Sequence, residues 1–265
     1  MKIITSQDNP LVRHIIQLTQ DNHYRQNQQQ AVIEGIHLVA SLMNQRDDSV
    51  VSIIYSQEKQ DNQEIKEIAQ RYADRLIEVP HQLYKKISTL QAPDGILAII
   101  QIENIQLPSI SPDRFCLVLD TIQDPGNVGT LFRSAVASGF NTIVLSTGCA
   151  HAWSPKVIRA GMGAHFKLAI YEGVELEQLL AMETGRVWVA ALSTTSKIYH
   201  TVNLSQPFTL IVGNEGAGVN QQLLNRYYQH LSIPMQENTE SLNAAVAGSI
   251  IMFESQRQRF KLTKF

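Results

Sequence analysis

Five apolar runs, with stretches of helical spacing between most of them, constrain this chain most tightly. They are FCLVLD from residue 115, TIVLS from 142, RVWVAAL from 186, FTLIVGN from 208 and HLSIPM from 230. A strand wet on one face alternates apolar and polar residues, whereas these runs are nearly continuous, so both of their faces are expected to be buried. Buried strands with helices between them predict an α/β fold with a mostly parallel sheet covered on both sides. The helical stretches fall at about 128–138, 155–161, 175–183 and 219–226, and a closing helix follows Ser241 or Glu240. Ligands in such sheets bind outside the carboxyl ends of the strands. The Gly- and Asn-rich segments of this half all fall at that edge.

Upstream the alternation is weaker but present. Residues 8–20 have helical spacing at Leu11, Ile15, Ile16 and Leu18, with Asp8 or Asn9 as N-cap and Pro10 in the first turn. AVIEGIHLVASLMNQ reads as a strand and a helix burying Ile36, Val39, Ala40 and Met43. VVSIIYS, RLIEVP and GILAIIQI read as strands, and NQEIKEIAQRYA and HQLYKKISTL as helices. Residues 102–113, ENIQLPSISPDR, carry Pro108 and Pro112 and no periodicity, which marks a linker. The expected organisation is a small α/β domain over 1–101, a linker over 102–113 and a larger domain over 114–265.

Charge and composition narrow the function classes. The formal net charge of −2 argues against non-specific coating of nucleic acid, although a local basic surface stays open. Apolar runs of four to six residues are far short of the roughly 18 that cross a bilayer. The start MKIITSQDNP has no signal-peptide pattern, so a cytoplasmic protein is expected. Cys116 and Cys149 have no metal-ligand spacing and are expected to be reduced thiols in apolar surroundings. No metal site is expected.

Three loops at the predicted ligand edge hold the polar chemistry. DTIQDPGNVGTLFRSAVASGF, from residue 120, places Asn127 as a candidate helix cap, with Gly126 and Gly129 permitting close approach of a ligand. Arg133 flanks the stripe of Leu131, Phe132, Ala135 and Val136. Helical side chains lean toward the N-terminus, so its guanidinium can return to the loop, where a phosphate would be favoured. IVGNEGAGV, from 211, exposes Asn214 and Glu215 at a strand end. It lacks the Lys-Ser or Lys-Thr of a Walker A loop and the spacing of the dinucleotide fingerprint. SIPMQENTESLNAAVAGSIIMFES, from 232, opens a helix in which Leu242, Val246, Ile250 and Phe253 share one face, with Asn243 in its first turn.

Together, NVGTLFRSA, VGNEGAGV and IPMQENTESLNAAVAGSI resemble, in order, the three motifs of the SpoU/TrmH family within the SPOUT superfamily. The resemblance spans roughly residues 114–254. SPKVIRAGMGAHF is similar to the family's connecting segment, and AVIEGIHLVASLM and APDGILAII resemble the start and end of its small substrate-binding domain. The resemblance implies an S-adenosylmethionine-dependent RNA 2′-O-methyltransferase, similar to bacterial enzymes that modify 23S ribosomal RNA guanosines. Transfer RNA as substrate and a non-catalytic RNA-binding relative are the alternatives. It also implies a deep trefoil knot in the C-terminal domain, against the general rule that chains are unknotted, and a homodimer.

By the same resemblance, Gly213, Ile233 and Leu242 are cofactor-binding positions, and Leu192, Ser193 and Thr194 line the same pocket. Arg133 matches the catalytic arginine. Asn127 would orient that arginine or the ribose, Glu215 would hold the arginine or accept a proton, and Ser241 and Asn243 would complete the floor. Lys156 and Arg159, one turn apart, are candidate RNA contacts or a solvated face. The family often carries more basic residues before the Glu-Gly element, where RQNQQQ supplies only Arg25. In the tail, Arg257, Arg259, Lys261 and Lys264 are a solvated helix end or a further RNA contact.

Overall fold

The structure is a computed structural model. It describes residues 2–103, 111–181, 185–193, 195–214, 216, 218–226, 229–237 and 241–260. Two compact units emerge, one of Met1–Asn104 with Trp153–Ile158, the other of Ile105–Ala152 with Arg159–Phe265. Most of the expected linker, residues 104–110, lies outside the described residues.

The first unit runs β1 (Lys2–Ile3), α1 (Pro10–Gln20), α2 (Asn22–Gln28), β2 (Gln30–Glu34), α3 (Ile36–Gln45), β3 (Val50–Ser56), α4 (Gln63–Arg71), β4 (Leu76–Val79), α5 (His81–Ile87) and β5 (Ile96–Gln101). Its strands form a mixed sheet in the order β1-β4-β3-β5-β2, in which β5 is antiparallel to both neighbours. Asn9 caps α1 by accepting from the Leu11 N–H, with Pro10 at the first helical position, where no N–H is missed. Val12, Ile15 and Leu18 of α1 pack with Leu83, Tyr84 and Ile87 of α5 against Val32, Ile54, Ile77 and Leu97 of the sheet. In α3 the buried residues are Leu38, Val39 and Leu42, while Ile36, Ala40 and Met43 are only half-buried. The expected apolar face of that helix is therefore rotated from the one the sequence suggested.

The second unit comprises β6 (Cys116–Asp120), α6 (Pro125–Ser138), β7 (Thr142–Ser146), α7 (Pro155–Gly161), β8 (Ala169–Val174), α8 (Leu176–Ala181), β9 (Val187–Ala190), β10 (Lys197–Ile198), β11 (Thr209–Gly213), α9 (Gln221–Arg226), β12 (His230–Ser232) and α10 (Ala244–Arg259); the first four residues of α7 group with the first unit. Seven strands lie in the order β10-β12-β9-β11-β6-β7-β8. Every pair is parallel. The continuous apolar runs are explained by this arrangement. Cys116, Val118, Val144, Val189 and Ile211 meet Leu176, Leu179 and Leu223 on one face. On the other, α10 packs against α6 and β11 closely enough that a Cβ on Gly248 would lie 2.6 Å from Leu131 and 3.2 Å from Val212.

Two helix starts differ from expectation. Asp124, not Asn127, is the N-cap of α6: its side chain accepts from the Asn127 N–H at 2.8 Å, and Pro125 takes the first helical position. Asn243 is itself the N-cap of α10, accepting from the Ala245 and Val246 N–H groups, so the helix starts later than Ser241. Its buried residues are Ala244, Ala245, Gly248, Ile251, Met252, Glu254 and Ser255. Of the expected face, Val246 and Phe253 are 47% and 44% exposed, while Leu242 and Ile250 are half-buried. Cys116 and Cys149 are free thiols, Cys116 buried and Cys149 half-buried.

Candidate active site

A cavity of about 330 Å³ opens at the carboxyl ends of β9, β11 and β12, against the start of α10. That volume falls in the range of small-molecule sites. Ala190 ends β9 and Ala191 and Leu192 follow it, Gly213 ends β11 and Asn214 follows it, and Ile233 and Met235 follow β12. Ser241, Leu242, Ala244 and Ala247 close it from the helix side. Side chains here are short or apolar, so strand-end backbone supplies much of the polar surface. Such a lining suits a flat heteroaromatic ring with a polar tail.

Gly213 is required by the way its loop folds. A Cβ there would lie 2.4 Å from the carbonyl carbon and oxygen of Gly218 and from the Val219 nitrogen, because the following residues turn straight back over it. Asn214 and Gly218 exchange two backbone hydrogen bonds at the neck of this turn. Gly216 and Gly218 both reach the cavity wall.

The cavity rim is joined to the first turn of α6 by one side-chain bond. Asn243 Nδ2 donates to Asn127 Oδ1 at 3.0 Å, while Asn243 Oδ1 caps its own helix. Arg133 is exposed and stands six residues further along α6 than Asn127, about 9 Å along the axis. No carboxylate among the described residues pairs with it. Helical side chains lean toward the N-terminus, so an exposed cation is available on the same helix whose first turn holds Asn127.

The expected cofactor positions fall out as follows. Gly213, Ile233, Leu242 and Leu192 line the cavity, as does Ser241. Ser193 lies beside it but is committed elsewhere: its hydroxyl bonds His230 Nδ1 at 2.9 Å and Ser196 Oγ at 2.9 Å. Thr194 and Glu215 lie outside the described residues. Sequence reasoning missed Ala190, Ala191, Ala244 and Ala247, whose contribution is the absence of bulk.

Among the expected RNA contacts, Lys156 and Arg159 are exposed on α7. Arg25 needs correction. It is only 4% exposed, and its guanidinium donates to the Leu18 carbonyl at 2.5 Å, tying α2 to α1. A buried, hydrogen-bonded guanidinium holds the fold and does not present itself to a phosphate. In the tail, Arg257 is paired with Glu254 at 2.7 Å, and Arg259 lies over the Phe115 ring at 4.2 Å while donating to the Ser138 carbonyl. Lys261 and Lys264 lie outside the described residues. Among the described residues, no cluster of His, Cys, Asp or Glu could hold a metal, and no helix is long and apolar enough to cross a membrane.

The profile of the MRM3-like substrate binding domain matches residues 9–98. The 23S rRNA (guanosine(2553)-2′-O)-methyltransferase of Bacillus subtilis is 34% identical over 64% of this chain and 68% of its own length. A tRNA/rRNA methyltransferase of Synechocystis, described as uncharacterized, is 28% identical over 97% of this chain and 94% of its own. The crystal structure of an AdoMet-bound rRNA methyltransferase from Sinorhizobium meliloti superposes with a TM-score of 0.85 at 27% identity, covering 98% of this chain and 99% of that one. The SpoU rRNA Methylase family profile matches residues 114–253, the stretch that holds the cavity, the Asn127–Asn243 pair and Arg133, and the chain belongs to that family.

Proposed function

We propose that this protein transfers a methyl group from S-adenosylmethionine to the ribose 2′-hydroxyl of a guanosine in 23S ribosomal RNA. The observation that carries the reading is the cavity at the carboxyl ends of β9, β11 and β12, whose rim is bonded through Asn243 and Asn127 to the helix bearing an exposed arginine. The names of the Bacillus subtilis and Sinorhizobium meliloti relatives support the substrate and the cofactor.

The cofactor, when bound, supplies a methyl group already activated on a sulfonium. The protein's work is then to seat it, to aim the ribose oxygen and to accommodate the hydroxyl's proton. Leu192, Ile233 and Leu242 would flank the adenine, and backbone groups near Gly213 would hold its polar edges. Arg133 would clamp an RNA phosphate and stabilise charge developing on the 2′-oxygen. An arginine is effectively never deprotonated in proteins, so it is not the proton acceptor. Glu215 would hold the arginine or accept the proton. Asn127 and Asn243 would fix the first turn of α6, and Ser241 would complete the floor. Lys156 and Arg159 would contact RNA outside the reacting nucleotide.

The reading includes a homodimer working in the cytoplasm. The outward face of α10, with Val246 and Phe253 exposed, supports self-association through that helix. It also includes a trefoil knot, supported by β12 returning between β9 and β10 before the chain crosses to α6 as α10. Thermal denaturation with added S-adenosylhomocysteine and with NAD tests the cofactor. Stabilisation by about 2.7 kcal/mol at a hundredfold excess over Kd is expected for the first and none for the second. Equal response to both, or response to NAD alone, would refute the assignment.

A further inference from the structure

Asp120 ends β6, directly beside Gly213 at the end of β11, with the two residues in parallel register. It is only 5% exposed. One carboxylate oxygen accepts the Asn220 backbone N–H at 2.7 Å, while the other has the Thr121 and Ser146 hydroxyls at 3.4 and 3.5 Å. A buried carboxylate is costly unless hydrogen-bonded, so the short bond to Asn220 is the one that justifies the charge.

The next residue holds the other end of the same loop. Thr121 has φ of +55°, rare for a β-branched residue. In that conformation its N–H donates to Ser146 Oγ at 2.9 Å, and its carbonyl accepts from Asn214 Nδ2 at 3.0 Å. Asn214 opens the segment 214–219 and Asn220 follows it, so the Asp120-Thr121 dipeptide grips that segment at both ends. Between the grips lie Gly216 and Gly218, which form cavity wall.

We infer that Asp120 is a positioning residue: by binding the Asn220 N–H it holds the end of the segment that carries Gly216 and Gly218 and so sets the cofactor wall beside Gly213. The inference rests on the cofactor reading above. It adds a residue outside the three loops' exposed polar groups, acting through backbone and not by touching substrate. The acceptor is needed, and the charge strengthens it. Asparagine at this position can still accept from Asn220, whereas alanine cannot.

The test compares wild type, Asp120→Ala and Asp120→Asn by hydrogen exchange and by calorimetric titration with S-adenosylhomocysteine. In D120A, amides of 213–220 should exchange faster while those of β7 and α6 stay protected, and Kd should rise about tenfold or more, the scale of one charge-assisted hydrogen bond. D120N should fall between D120A and wild type in both readouts, and it carries the test if D120A does not fold. In the transfer assay the cofactor KM should move more than kcat. Unchanged loop exchange in folded D120A or D120N would overturn the inference, as would a loosened loop with wild-type Kd. Wild-type protein that fails to bind S-adenosylhomocysteine while the loop still loosens in D120A would instead overturn the cofactor reading and, with it, the role assigned to the wall.

Discussion

Asn243 serves two helices at once: its Oδ1 caps α10 through the Ala245 and Val246 N–H groups, and its Nδ2 reaches 3.0 Å across to Asn127 Oδ1 in the first turn of α6. Only an amide can do both, because one end must accept while the other donates. The two functions can therefore be separated. Asn243→Asp keeps the cap and loses the donor, so stability should stay near wild type while methyl transfer falls. Asn243→Ala should also lose the cap, at about 1 kcal/mol. Urea denaturation of both variants beside their kcat values checks this; equal stability loss in both would contradict it.

Arg133 is exposed and outside the cavity lining. Arg133→Ala should leave S-adenosylhomocysteine affinity unchanged and lower kcat by about 10²-fold or more, as for loss of a charge-stabilising group. Arg133→Lys should recover little, because a point charge cannot replace a planar fork on phosphate. Titration calorimetry and single-turnover kinetics separate the two effects. A large change in cofactor affinity would move Arg133 into the cofactor site.

Gly213→Ala should abolish tight cofactor binding without unfolding the sheet. Its Cβ meets backbone of Gly218 and Val219, which cannot swing aside as a flexible side chain would. Loop 214–219 must lift, and the wall goes with it. Calorimetric titration should show affinity reduced by well over tenfold, more than the ~1.4 kcal/mol that a tenfold change represents. Wild-type affinity in this variant would mean that the cavity is not the cofactor site.

His165 gives the fold an acid sensitivity. It is fully buried beside Phe132, and its Nε2 bonds the Ala152 carbonyl at 2.8 Å. Burial pushes its pKa down to about 4 from the usual 6.5, only partly opposed by that bond. Between those values the unfolded chain takes a proton that the folded one refuses, so stability is full above about pH 6.5 and falls toward pH 4. The loss is on the order of 3 kcal/mol at 1.36 kcal/mol for each pKa unit. Denaturant titrations at pH 7 and 4.5 should show it, and His165→Gln should flatten that slope.

The parallel sheet was legible because buried strands leave unbroken apolar runs, and Phe115–Leu119 and Thr142–Ser146 could hardly be anything else. Edge strands left no such trace. In β8 most residues are half-buried, so Ala169–Val174 carries no continuous apolar stretch. The start of α6 was written in Asp124-Pro125, a cap followed by proline, but the two glycines after it suggested a longer loop. In α10 the large apolar residues pointed to the wrong face. Close approach to α6 selects Ala245, Gly248 and Ser249, which hydrophobic periodicity cannot register, and leaves Val246 and Phe253 outside. Arg25 showed the same limit: charge in a sequence does not reveal a carbonyl waiting for it. In the cavity, Gly213, Ile233, Ser241 and Leu242 were found through the family motifs, whereas its alanines gave no signal.

Methyl transfer to a ribose of ribosomal RNA can be followed as tritium transfer from labelled S-adenosylmethionine. Ribosomal and transfer RNA pools from cells lacking the gene would serve as acceptors, with Arg133→Ala alongside. Label is expected in 23S ribosomal RNA, at a single linkage resistant to alkaline cleavage, and is expected to be lost in the variant. Label confined to transfer RNA, or label at a base with the ribose linkage still cleaved by alkali, would contradict it.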